Sequence, residues 1–190
     1  SLPRALRFSR QPKTLVLAGA LVRSAQEEAI AVEVIDAWEN RVDNLAAELR
    51  ITMSLQGGAE SAAFCTALTE PETVLGIAEF PSLCVDLVGR DYKLHAITTL
   101  PTEMLAGESN FFEVIPGLLD HVQWLPSLPQ TIVAGLWPQI SVALFDAYGN
   151  LLTTDHATVL HLEIRGMELL QTSATAQSGV ITYEGLVYTT

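Results

Sequence analysis

The sequence predicts an all-β protein that contains two tandem β-sandwiches, the second of which lacks its last strands. Two observations lead to this prediction. Apolar residues alternate with other residues along several short segments, and a period of two is typical of strands that bury one face. A set of residue landmarks also recurs in the same order in the two halves of the 190-residue chain, which indicates an internal repeat.

The repeat is clearest in two segments in which an alternating apolar run is followed by Asp-Ala-aromatic-x-Asn. Residues 30–42 read IAVEVIDAWENRV, and residues 140–152 read ISVALFDAYGNLL. Each run predicts a strand, and the polar residues after it predict a turn. The matched turn residues are Asp36 with Asp146 and Asn40 with Asn150, at an offset of 146 − 36 = 110.

The carboxylate and amide oxygens of these turns would also suit a calcium ion. A calcium loop, however, usually carries Asp or Asn at alternating positions and a distal Glu, and neither copy has that pattern. We therefore favour a structural turn, in which Asp accepts backbone N–H bonds and Asn or Gly adopts a left-handed conformation.

Other landmarks flank the two segments. Phe8, which precedes a Pro and an Ala-Gly pair, matches Trp124, which precedes the same signals. Downstream, residues 76–80 (GIAEF) match residues 179–183 (GVITY), at an offset of 179 − 76 = 103. The change of offset indicates insertions and deletions in the connections between retained strands.

The remaining strands are expected at spacings typical of a sandwich. They are residues 49–55, 64–68, 74–80, 83–88, 92–97 and 110–114 in the first unit, and residues 158–164 in the second. The Pro116-Gly117 pair interrupts the pattern, so we assign residues 1–116 to the first sandwich and residues 117–190 to the second. The second unit, if equivalent, is incomplete at its C-terminus, which predicts either a fragment of a longer protein or a strand donated by a partner.

Two further features concern single positions. Tyr92 begins a strand behind a turn that contains Gly89, where sandwiches often place a tyrosine corner, a hydroxyl bonded back to upstream backbone. Cys65 and Cys84 are expected on neighbouring antiparallel strands. They could form a cross-strand disulfide or remain two buried thiols.

Taken in order, these motifs resemble the immunoglobulin-like repeats of the filamin and bacterial invasin/intimin type. The resemblance lies in residues 32–40 (VEVIDAWEN) and 76–83 (GIAEFPSL), in the second-half counterparts of these two segments, and in residues 89–96 (GRDYKLHA). Glu39 departs from it, since the family prefers Gly there, and Tyr183 stands where the family has Phe. The resemblance implies tandem sandwiches in a large surface protein, and an extracellular setting would favour the disulfide.

Composition excludes several classes of function. The chain has 10 basic and 22 acidic side chains, a net charge of −12, which disfavours binding to nucleic acid or to an anionic lipid surface. No apolar run is long enough for a membrane helix, so we expect no direct membrane insertion. The sequence also has no nucleophile elbow, phosphate loop or metal-ligand spacing, so we expect no enzyme activity, cofactor or metal.

The expected function is a non-catalytic structural or adhesion module, a spacer or filament-forming piece of an extracellular or cell-surface protein. Its partners would be neighbouring repeats or like subunits. Three alternatives stay open: a module that pairs a peptide strand at an exposed sheet edge, an intracellular filamin-like scaffold, and an accessory carbohydrate-binding domain. Trp137 is the candidate exposed ring for a glycan, whereas Trp38 and Tyr148, at matching repeat positions, are expected to pack in a core or between units.

Overall fold

A computed structural model describes residues 2–45, 49–66, 70–101, 103–125, 139–163 and 173–184. In these residues the protein is all-β, and its strands form several sheets, so the predicted all-β class is confirmed. Within the same ranges no helix has the length and apolarity needed to cross a bilayer. The chain divides into two compact units, Ser1–Ile115 and Pro116–Thr190, called the first and second unit below.

The first unit contains eight of the described strands. They are β1 (Ala5–Arg10), β2 (Leu15–Leu17), β3 (Ile30–Ile35), β4 (Thr52–Gln56), β5 (Ile77–Phe80), β6 (Gly89–Thr99), β7 (Met104–Glu108) and β8 (Phe112–Ile115).

These strands form two sheets. One sheet has the order β1-β3-β5 and is antiparallel. The other has the order β2-β8-β6-β4, and β7 also pairs with β6. All of its pairings are antiparallel except that of β2 with β8, which is parallel. This pairing joins a strand near the beginning of the unit to the last strand of the unit.

One apolar core fills the first unit because alternate residues of its strands are buried. Along β1, Leu6 and Phe8 are buried and pair with Val34 and Val32 of β3, which are also buried. The strands of the other sheet contribute Tyr92, Leu94, Ala96, Leu105, Phe112 and Val114 to the same cluster.

The second unit contains five described strands in two sheets. They are β9 (Leu119–Leu125), β10 (Ile140–Asp146), β11 (Val159–His161), β12 (Ser173–Thr175) and β13 (Val180–Tyr183). The sheet β9-β10-β13 repeats the order β1-β3-β5, and β11 pairs with β12. Its core contains Ile140, Val142, Leu144, Leu152, Ala176, Ile181 and Tyr183.

The strand predictions were wrong in several places. Residues 83–88 form no strand, although Leu83 and Val85 are fully buried, and contribute isolated bridges instead. Residues 64–66 likewise provide only a bridge at Phe64, and the rest of that predicted strand lies outside the described residues. Apolar residues of this segment are therefore buried in the core although the segment is a loop and not a strand of a sheet.

Candidate functional site

The first Asp-x-aromatic-x-Asn motif is a turn closed by its own aspartate. Asp36 Oδ1 accepts the backbone N–H groups of Trp38 and Asn40 at 2.9 and 3.0 Å. The Asp36 N–H donates to the Asn40 carbonyl at 2.9 Å, which closes the same loop from the backbone side. The carboxylate therefore satisfies the amide groups that β3 leaves unpaired where it ends.

The second motif repeats this geometry in the second unit. Asp146 Oδ1 accepts the N–H groups of Tyr148 and Asn150, both at 2.9 Å, and the Asp146 N–H donates to the Asn150 carbonyl at 3.0 Å. The Asn150 amide donates to Asp146 Oδ2 at 2.9 Å, and the Gly117 N–H donates to the same oxygen at 2.9 Å. This aspartate thus ties the beginning of the second unit to the end of β10.

The charge on Asp146 is held by these donors. Burial disfavours the charged carboxylate, but the hydrogen bonds from Gly117, Asn150 and Tyr148 outweigh burial and hold the pKa of the Asp146 carboxyl below its usual range. All its oxygens are therefore engaged in bonds within the fold.

The two hairpins that follow are also equivalent. Val74–Ile77 and Gln177–Val180 each close with paired N–H to carbonyl bonds between their end residues, at 2.8 to 3.1 Å. In both, the two central residues have positive φ, as a two-residue hairpin turn of the primed type requires. The glycine carbonyl of each turn then accepts a bond from the matching strand, from Val34 at 2.9 Å and from Leu144 at 2.8 Å.

Tyr92 fastens two loops of the first unit. Its side chain is fully buried, and its hydroxyl donates to the Leu87 carbonyl at 3.0 Å and accepts the Ala59 N–H at 3.2 Å. Burial raises the pKa of the Tyr92 phenol, Asp86 adds to that effect, and the Ala59 N–H opposes it. The bond to backbone five residues upstream has the geometry of a tyrosine corner.

Cys65 and Cys84 form a disulfide in the structure, with Cα atoms 5.5 Å apart. The Cys65 N–H also donates to the Cys84 carbonyl at 3.1 Å, beside an antiparallel bridge between Phe64 and Val85. The bond therefore joins two loop segments rather than two regular strands, and it closes a loop of 19 residues.

The aromatic residues of the turns are on the surface. Trp38 is 77% exposed and Tyr148 is also exposed, so neither ring packs in a core, which was one of the two placements predicted for them. The physical reason is that the Asp36 turn is closed by its own polar hydrogen bonds and does not need the ring to be buried. Trp137, the candidate glycan-binding ring, lies outside the described residues.

Neither a metal-holding cluster nor an unpaired buried polar side-chain atom is present among the described residues. Those residues contain no group of three His, Cys, Asp or Glu side chains placed to hold a metal ion. Every buried side-chain nitrogen or oxygen among them has a hydrogen-bond partner within the fold. A shallow groove of about 360 Å³ is lined by Arg90 and Glu113, which form an ion pair at 3.2 Å, and by Phe111 and Phe112.

One apolar surface stands out in the second unit. Every residue of β9 is exposed, including Leu119, Val122, Trp124 and Leu125. Its neighbour β10, by contrast, buries Val142 and Leu144, which pair directly with Trp124 and Val122. Nothing in the sequence indicated this exposure, because Trp124 of β9 was matched with Phe8, which is buried in the first unit.

Comparison of the chain with known protein families, with characterised proteins and with solved structures finds no significant match.

Proposed function

We propose that this chain is a non-catalytic structural module, a spacer or adhesion piece of a larger extracellular or cell-surface protein. We further propose that its units are immunoglobulin-like sandwiches of the filamin and invasin type. In this function the module holds neighbouring parts of the protein apart and transmits tension between them.

The strand order of the first unit supports the immunoglobulin-like assignment. The sheet β1-β3-β5 corresponds to strands A, B and E of that fold, and β4, β6 and β8 correspond to C, F and G. The tyrosine corner at Tyr92 then falls at the start of strand F, where immunoglobulin-like domains place it.

The second unit supports the tandem repeat. It reproduces the aspartate turn, the hairpin and the bond between the hairpin glycine and the central strand. These are hydrogen bonds at matched positions rather than a general likeness of composition.

The observation that carries the mechanical role is the parallel pairing of β2 with β8. The Glu113 N–H donates to the Thr14 carbonyl at 2.9 Å, and the Ala18 N–H donates to the Ile115 carbonyl at 2.8 Å. Tension between the two ends of the unit pulls β2 and β8 in opposite directions along their length. Because the strands are parallel, the bonds between them are sheared together instead of opening one at a time.

The Cys65–Cys84 disulfide supports a location outside the reducing cytosol, where such bonds persist. The net charge of −12 would keep copies of an acidic protein apart. Both features agree with a surface spacer, and neither requires a ligand.

The test is single-molecule force spectroscopy on the full chain, pulled from its two ends. The first unit's event can be recognised because reduction of the disulfide lengthens it by the 19-residue loop, roughly 65 Å at about 3.4 Å per residue. We expect Ala18→Pro, which removes the donor to Ile115, to lower the force of this event.

The matched control is Ala62→Pro, which removes a backbone donor to the Ala59 carbonyl in a loop away from β2 and β8. We expect it to leave the unfolding force unchanged. Equal losses of force in the two variants, or an intact first unit that yields without measurable resistance, would refute the mechanical role.

A further inference from the structure

We propose that the Cys65–Cys84 disulfide is a redox-controlled cross-link, which a dithiol reductant opens while the first unit remains folded. Opening it lowers the resistance of this unit to tension. This inference rests on the proposed mechanical function, because the resistance that the cross-link controls is that of β2 and β8.

The first observation is that the chain continues from β2 into a second set of backbone pairs. The Gly19 N–H donates to the Val85 carbonyl at 2.8 Å, and the Val22 N–H donates to the Leu83 carbonyl at 2.7 Å. The segment that follows β2 is therefore held to residues 83–86.

The second observation is that residues 83–86 have another neighbour on their opposite edge. The Cys65 N–H donates to the Cys84 carbonyl at 3.1 Å, and the Asp86 N–H donates to the Ala63 carbonyl at 3.2 Å. Successive backbone carbonyl groups of an extended segment point to opposite edges. Residues 83–86 are therefore the central segment of a ladder of three segments, and the disulfide joins this segment to one of its neighbours.

The two segments that the disulfide joins differ in how firmly the core holds them. Leu83 and Val85 are fully buried and belong to the apolar core of the first unit. Residues 57–66, by contrast, form a largely exposed loop, in which Phe64 and Cys65 are half-buried. The disulfide is therefore the covalent attachment of an exposed loop to a buried segment.

The cross-link opens by thiol–disulfide exchange. A thiolate of the dithiol attacks the sulfur of Cys65, the more exposed of the two residues, and the sulfur of Cys84 leaves as a thiolate. The second thiolate of the reductant then attacks the reductant's own sulfur in the mixed disulfide and releases Cys65. The protein gains two electrons and two protons, and the dithiol becomes an internal disulfide.

Opening leaves residues 63–65 held to the central segment by hydrogen bonds of 2.8 to 3.2 Å. A cross-link that closes a loop of 19 residues favours the closed arrangement about a hundredfold, and this factor is lost. When residues 63–65 move away, water replaces them along one edge of residues 83–86. Tension then breaks the bonds to residues 19–22 more readily, because their partner has become a solvent-exposed edge.

The test is force-clamp spectroscopy of the full chain before and after treatment with dithiothreitol under native conditions. Thiols titrated after removal of the reductant should rise from none to two, since the chain has two cysteines. We expect reduction to raise the unfolding rate of the first unit about tenfold at a fixed force. A contact that is half formed in the transition state passes about the square root of its hundredfold effect to this rate.

Two controls belong to this measurement. The second unit is an internal control, because both cysteines are in the first unit and its unfolding rate should not respond to dithiothreitol. A chain with serine in place of both cysteines should unfold at the rate of the reduced chain, with or without the reductant.

Ala18→Pro tests whether the cross-link acts on β2, because it removes the donor to the Ile115 carbonyl directly before the ladder begins. Reduction should raise the unfolding rate of this variant by much less than tenfold, since two changes that act on one set of contacts are not additive. In the matched control Ala62→Pro, which leaves the bonds of the ladder in place, reduction should keep its full effect.

A disulfide that dithiothreitol fails to open in the folded chain, equal unfolding rates before and after reduction, or an equal rate increase in Ala18→Pro and the unaltered chain would each overturn the proposal. The mechanical function survives these outcomes if the oxidised first unit resists tension and Ala18→Pro weakens it. A first unit that yields without resistance in both redox states refutes the mechanical function, and the role of the cross-link with it.

Discussion

Glu39 and Gly149 occupy the same position of the two aspartate turns, and both have a left-handed backbone, with φ of 65° and 80°. Glycine adopts this conformation freely, whereas a residue with a Cβ atom is strained in it. The first unit therefore carries local strain that the second unit avoids.

Replacing Glu39 with Gly should stabilise the first unit by about 0.5–1 kcal/mol, because the relief of left-handed strain exceeds the extra chain entropy of glycine. Urea unfolding measures the change. Glu39→Gln is the control, since it removes the charge that faces Arg7 at 3.6 Å and keeps the strained backbone. Equal stability of the Gly and Gln variants would contradict the role of strain.

The reverse change, Gly149→Ala, should destabilise the second unit by about 1 kcal/mol. No atom lies within 4 Å of the added Cβ, so any loss reports on backbone conformation and not on a collision. The midpoint of urea unfolding of the second unit is the measurement. An unchanged midpoint would show that the turn tolerates a side chain there.

The second unit should lose stability in acid through Asp146. The pKa of this carboxyl is lowered in the folded state, so its contribution is fully present above the unfolded pKa of about 3.9 and is lost as the pH falls through the folded value. Urea midpoints between neutral pH and pH values below 4 should therefore fall more steeply for the unaltered chain than for Asp146→Asn.

This measurement needs a signal from the second unit alone. A Trp38→Phe chain provides it, because both remaining tryptophans, Trp124 and Trp137, belong to the second unit. Asp155 also has a lowered pKa, caused chiefly by hydrogen bonds from Thr158, so a smaller acid dependence should remain in Asp146→Asn. Identical slopes for the two chains would exclude Asp146 as the source.

Tyr92→Phe should destabilise the first unit by about 1–3 kcal/mol, because it leaves the Leu87 carbonyl and the Ala59 N–H without the hydroxyl that joins them. Tyr183→Phe should cost less, since among the described residues the Tyr183 hydroxyl has one partner, the Leu160 carbonyl at 2.8 Å, and the first unit has Phe80 at this position. Thermal unfolding of the two variants compares them. A larger loss in Tyr183→Phe would contradict this ranking.

The chain should contain no titratable thiol when it is unfolded without reductant. Replacing both cysteines with serine should lower stability by about 3 kcal/mol, as expected for a closed loop of 19 residues. Thiol titration and urea unfolding check the two statements. Two free thiols in the purified protein would remove the support for a location outside the cytosol.

Local pattern explains how far the sequence could predict this fold. Alternation located β3 and β10 closely, and the Asp and Asn residues after them marked real turns, because strand periodicity and turn chemistry act within a few residues. The short strands β2, β7 and β12 have three to five residues each, too few for a clear period, and they exist because partner strands lie beside them.

The candidate sites divide in the same way. The positions of Asp36, Asp146 and Tyr92 followed from local signals, and the structure supplies their bonding partners. The sequence did not predict the exposure of Trp38, because an aromatic ring in a turn can either pack against the protein or extend into solvent. The residues next to it in sequence do not decide between these two placements.

The sequence alone determined that the chain is built from strands and that one motif is written twice, since both properties are local and repeat along the chain. Only the tertiary structure decided that Phe8 is buried and Trp124 is exposed, although the two residues match. The physical reason is that burial depends on the strands that pack across a face, and these come from distant parts of the chain or from another molecule.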